Sequence, residues 1–94
     1  MLNHTDGIQY LAEEGGAFWL VDICASYQTK PKIRSELFQL WSIKVHDDDS
    51  ATVEMRQDSD LKPIVTQEIP YTDFPLKDFE WYVCDGTMLL KSEY

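Results

Sequence analysis

Apolar residues recur along this chain with two periods, and the change of period divides it. Between Thr5 and Glu14, Ile8, Leu11 and Ala12 fall at i, i+3 and i+4, the spacing of one helical face. Thr5 or Asp6 stands where a side chain can cap the first free N–H groups. Glu13 and Glu14 lie at the end where the helix dipole disfavours negative charge, so this helix depends on packing. Gly15-Gly16 closes it, because glycine takes the left-handed C′ conformation without steric cost. A second helix is predicted over 17–28, where Phe18, Val21, Cys24 and Ala25 share a face that Leu20, Ile23 and Tyr27 widen. Its first half, FWLVDI, also suits a strand by residue type. The pattern nevertheless continues for roughly three turns without alternation, which favours helix. Pro31 disfavours helix at Lys30, so 29–34 reads as a break and a solvated loop.

From Leu37 the period drops to two. Leu37, Gln39, Trp41, Ile43 and Val45 point one way, and Phe38, Leu40, Ser42 and Lys44 the other. After a turn at His46–Ser50, a strand over 51–57 alternates Val53 and Met55 with Thr52, Glu54 and Arg56. Asp58-Ser59-Asp60 turns the chain again, and 64–69 gives a third strand. The stretch 70–75, bounded by two prolines, reads as a loop packed by its aromatic rings. Asp85-Gly86 between 79–84 and 87–90 signals a type I′ hairpin, whose two central residues need positive φ. The order α-α-β-β-β-β-β, with short connections, predicts an α+β fold. Two N-terminal helices would pack on one face of a four- or five-stranded antiparallel meander sheet. With 94 residues this is one compact domain, 1–94.

Charge changes the picture next. Seventeen acidic against eight basic side chains give a formal net charge of -9, yet 44% hydrophobic content is enough for a packed core. Such a body is repelled by phosphate backbones and anionic lipid surfaces, so direct nucleic-acid or membrane binding is not expected. It favours encounter with a protein that carries a basic surface. No apolar run reaches the ~20 residues that span a bilayer. MLNHTDGIQY lacks the basic start and apolar stretch of a signal peptide, which predicts a cytoplasmic protein. Cys24 and Cys84 lie in apolar settings without CxxC spacing and read as buried, reduced thiols.

The candidate chemistry is sparse. Asp47, Asp48 and Asp49 are consecutive, whereas a calcium loop alternates its ligands around a glycine, so a solvated turn is expected and no metal. His4 and His46 have no Ser or Cys at a spacing that suggests a dyad, and no cofactor motif is present. Asp22 stands on the apolar helix, where a buried carboxylate must find a partner such as Tyr27, Trp41 or a backbone N–H.

Three blocks carry a resemblance: GGAFWLVDICASYQ at 15–28, Phe38-Gln39-Leu40-Trp41, and Tyr71-Thr72-Asp73-Phe74-Pro75-Leu76. Together they resemble a family of small uncharacterised proteins found in bacteria, phages and other mobile elements. The resemblance covers nearly the whole chain and brings no activity or catalytic residue. It implies a genomic setting in which small acidic antagonists of host defence also occur.

The expected function is a non-enzymatic acidic protein-binding module, in its narrowest form an inhibitor that blocks a basic nucleic-acid-handling protein. Asp47, Asp48, Asp49, Asp58 and Asp60 would then form the contact. Imitation of a duplex, with a phosphate about every 1.7 Å of axis, requires those acids in a dense row. The alternative is a small-molecule binder or minor enzyme with a pocket between helices and sheet, lined by Asp22, Tyr27 and Trp41. A homodimer built through an edge strand or exposed aromatics is compatible with either.

Overall fold

The alternating region builds one sheet. In the computed structural model, which describes residues 2–94, β2 (Phe38–Val45) is central. On one side of it follow β3 (Ala51–Arg56) and β4 (Val65–Ile69), and on the other β5 (Asp78–Cys84) and β6 (Thr87–Leu90), all antiparallel. The β5–β6 turn takes φ of 50° at Asp85 and 79° at Gly86, as a type I′ hairpin requires. A two-residue strand, β1 (Asn3–His4), adds to β6 in parallel and completes six strands in the order β1-β6-β5-β2-β3-β4.

Strand count and connectivity both correct the meander expected from sequence. The four strands β5-β2-β3-β4 form a Greek key, because β5 returns beside the first strand of the set. The cause lies in 70–77, which crosses the end of the sheet instead of turning back on β4. Thr72 N donates to Asp49 O at 2.8 Å, Val45 N donates to Lys77 O at 2.7 Å, and Phe74 is buried. These anchors tie the crossing segment to the β2–β3 turn and deliver the chain to the far edge of β2. Strand β1 escapes the sequence reading because Asn3-His4 has no apolar period of its own.

Among the described residues three helices lie between β1 and β2 where two were expected: α1 (Asp6–Gly15), α2 (Phe18–Tyr27) and α3 (Pro31–Arg34). Thr5 Oγ1 caps α1 by accepting from Ile8 N at 3.3 Å, and Gly16 ends it at φ 62°. The third helix corrects the loop reading of 29–34. Lys30 is extended, as a residue before proline must be, but Pro31 itself is pre-set for the first helical position. Ile8, Leu20, Cys24 and Ile33 from the helices share one core with Trp41, Ile43, Val53, Met55, Trp81, Val83 and Met88 from the sheet. Trp41 and Trp81 stack at 6.3 Å between centroids, and Phe79 lies on Trp81 at 5.9 Å. Cys24 Sγ accepts from Trp81 Nε1 at 3.3 Å, and burial pushes its thiol up to about 12 against the opposing effect of that bond. Cys84 is only half-buried, and both thiols are free.

The C-terminal turn, Lys91–Glu93, closes the domain on its N-terminus. Glu93 accepts from Thr5 Oγ1 at 2.6 Å, Leu90 N at 2.8 Å and Gly7 N at 3.3 Å. The Thr5 bond first, then the Leu90 amide, holds its carboxyl below the usual range. A depressed carboxylate contributes stability above its unfolded-state pKa and loses it as pH falls through the folded one. Thermal melts taken from neutral into acid pH should therefore show a shallower acid limb for Glu93→Gln than for the parent. Identical limbs in the two proteins would remove Glu93 from the account.

Candidate interaction face

Each strand sends alternate side chains to the side of the sheet opposite the core. Row by row across β5, β2, β3 and β4, that outer side carries Asp78, Lys44, Thr52 and Glu68, then Glu80, Ser42, Glu54 and Thr66. The next rows turn apolar, with Tyr82 opposite Leu40 and Cys84 opposite Phe38. The three helices and the buried cluster occupy the other side.

Two halves of this face differ chemically. At the start of β2, Phe38, Tyr82 and Tyr94 make a triad with centroids 4.9, 5.6 and 5.2 Å apart. Tyr94 is 72% exposed, and Lys91 Nζ lies 6.0 Å from the Tyr82 ring. At the other end carboxylates dominate, some paired: Glu54 with Arg56 at 3.0 Å, and Glu80 with Lys91 at 2.8 Å. The Glu80 bond holds the Lys91 ammonium above its usual range. Thr52 Oγ1 links His46 Nε2 (2.9 Å) to Glu68 (3.0 Å). Among the described residues no group of His, Cys, Asp and Glu converges to hold a metal ion.

The five aspartates expected to form the contact are divided. Asp47, Asp48 and Asp49 occupy the β2–β3 turn, close to Lys77 of the crossing segment, whose Nζ is 3.7 Å from Asp47. Asp48 accepts from Ser50 Oγ (2.6 Å) and Ser50 N (3.0 Å), which hold its carboxyl below the usual range. Asp58 and Asp60 stand beyond the opposite end of β3, across a strand of six residues or about 20 Å. They do not make one row with Asp47–Asp49.

The expected pocket does not form. Asp22 is exposed, because it sits on the one polar stripe of α2, so no buried carboxylate exists there. Trp41 is fully buried in the core and donates to Gln39 Oε1 at 2.9 Å. Tyr27 lies 5.8 Å from the Trp41 ring and donates to Gln67 Oε1 at 3.0 Å. A different cleft of about 480 Å3 opens near Gln28, Arg34, Glu36 and Asp85. Its one deeply buried polar lining group, Gln39, is spent on bonds within the chain to Gln28, Ile33 O and Glu36 O.

The sequence profile of one family matches residues 1–94, the full length of this chain. The chain belongs to the DUF6876 family, a family of unknown function. No match was found among curated proteins or solved structures. Membership therefore carries no activity with it. Among the described residues of this member of the DUF6876 family, no helix is long and apolar enough to cross a membrane. The aromatic triad was legible in part. Phe38, Leu40 and Tyr82 are apolar at the phase opposite to the core residues, a signal that both sides of β2 and β5 are apolar at one end.

Proposed function

We propose that this protein is a non-enzymatic, cytoplasmic binding module whose outer sheet face docks a protein partner with a basic surface. The observation that carries the reading is the joining of an aromatic triad, Phe38, Tyr82 and Tyr94, to an acidic field on one uncovered side of the sheet. Aromatic rings supply the anchors that dominate protein interfaces, and flanking carboxylates steer a cationic partner. Asp47, Asp48, Asp49 and Asp78 extend the field at the end of β2. The field does not imitate a phosphate backbone, because Lys44, Arg56, Lys77 and Lys91 interrupt the acids. Blocking of a basic nucleic-acid-handling protein is the narrower form, and it rests on charge alone.

Capture from a lysate of the native host at low and high salt tests this, with three baits compared by mass spectrometry. The parent should retain a basic protein that high salt releases. Tyr94→Ala with Asp78→Asn should lose it at least tenfold, since an aromatic hot spot contributes about 2 kcal/mol or more. Glu13→Gln with Glu14→Gln, which lowers the charge on the helical side, should retain it. Equal capture by all three baits, or capture of acidic proteins only, would overturn the reading.

A further inference from the structure

Strand β4 ends the sheet, and its outward edge has no partner among the described residues. His46 N donates to Ser50 O at the β2–β3 turn. The antiparallel alternation that follows directs Val65, Gln67 and Ile69 toward β3, leaving the N–H and C=O of Thr66 and Glu68 on the open side. Folded proteins blunt such edges with lysine, proline or bulges, yet VTQEI holds a single charge and no proline. The opposite edge of the sheet, β1, is only two residues long.

What flanks the edge on the helical side is self-complementary. Trp19, Ile23 and Tyr27, four residues apart on α2, run along it, each half-buried and packed against the core. Near Val65 and Thr66 the groove ends in Lys30 and Lys32. Near Ile69 it ends in Tyr71 and Asp73, beside Trp19. None of Lys30, Lys32 and Asp73 makes a salt bridge among the described residues. Gln67 accepts from Tyr27 Oη through Oε1, while its amide NH2 has no partner among the described residues.

We propose that β4 pairs antiparallel with β4 of a second copy of this chain, about a two-fold axis at Gln67. In that register Thr66 stands opposite Glu68 of the second copy, and both present the backbone groups that the edge leaves free. Val65 stands opposite Ile69 of the second copy, so the apolar inner face runs unbroken through a twelve-strand sheet. The two Gln67 amides meet at the axis, where each NH2 can donate across it. The basic end of one groove faces the acidic end of the other, Lys30 and Lys32 against Asp73. A shift that centres the axis on Glu68 would oppose like charges and is disfavoured. The contact is isologous, as a two-fold dimer requires.

Sedimentation equilibrium on the whole chain decides it. The parent should sediment at twice the 11.0 kDa of the monomer. Thr66→Glu sets a new carboxylate against Glu68 of the second copy on each side of the axis. It should weaken the dimer about tenfold, at two unfavourable cross-strand pairs per dimer. Adding Glu68→Lys converts both pairs to opposite charges and should restore the parent's constant. Far-ultraviolet circular dichroism should be unchanged in both variants, since each position is exposed. A parent monomeric throughout the concentration range overturns the proposal. So does a dimer indifferent to Thr66→Glu, or one that Glu68→Lys fails to rescue, because either outcome places the contact elsewhere.

Discussion

Replacing Gln39 by leucine should lower the stability of the domain by about 2–4 kcal/mol, because it orphans several buried groups at once. Gln39 is 1% exposed at the start of the central strand. Its Oε1 accepts from Trp41 Nε1 at 2.9 Å and from Gln28 Nε2 at 2.9 Å. Its Nε2 lies 3.0 Å from each of Ile33 O, Glu36 O and Gln28 Oε1. A leucine of similar size fills the space but leaves the indole N–H and Glu36 O without partners, and leaves Ile33 O with only its bond from Glu36 N at 3.0 Å. The cost should appear in urea melts as a lower midpoint at unchanged slope, with Tm down by roughly 10–25 °C. Trp41→Phe removes the indole donor, so the double variant should cost less than the sum of the single ones. A Gln39→Leu protein as stable as the parent would show that water replaces the amide.

Trp81→Ala should cost more, about 3–5 kcal/mol, the range for removing a fully buried large aromatic. Its ring is fully buried between Trp41 and Phe79 and its N–H donates to Cys24 Sγ. The deletion therefore opens a cavity at the meeting point of α2, β2 and β5. For a domain at the lower end of the usual ~5–15 kcal/mol, that loss leaves a large unfolded fraction. Trp81→Phe keeps most of the volume and should cost about half as much or less. Equilibrium urea unfolding followed by circular dichroism gives both numbers. A loss below about 2 kcal/mol for the alanine variant would mean that the site collapses around the gap.

Both residues belong to the phase of β2 and β5 that the alternating pattern assigns to one face, and the position of Trp41 in that pattern was readable directly. The role of Gln39 was not. A glutamine at a core phase reads as an interruption until α3 and Gln28 are seen to fold over it. Asp22 shows the converse error. Its neighbours on α2 are apolar, but a ten-residue helix turns its sides in several directions, and one of them meets water. The acidic clusters misled in the same way. Asp47–Asp49 and Asp58/Asp60 are neighbours in sequence terms, yet β3 holds them apart as a rigid spacer.

The local elements followed from the sequence alone because their causes are local. Thr5 caps a helix, Gly16 ends it in a left-handed turn, Pro31 sets Lys30 extended, and Asp85-Gly86 folds a hairpin. The α+β class followed from the change of period at Leu37. Tertiary structure decided what depends on contacts between distant residues. The anchoring of 70–77 on the β2–β3 turn made a Greek key from an expected meander, and the pairing of Asn3-His4 with β6 added a sixth strand. The return of Glu93 to Thr5 placed Tyr94 on Phe38 and Tyr82. Each of these rests on hydrogen bonds or ring contacts across dozens of residues, which no period or turn signal along a chain encodes.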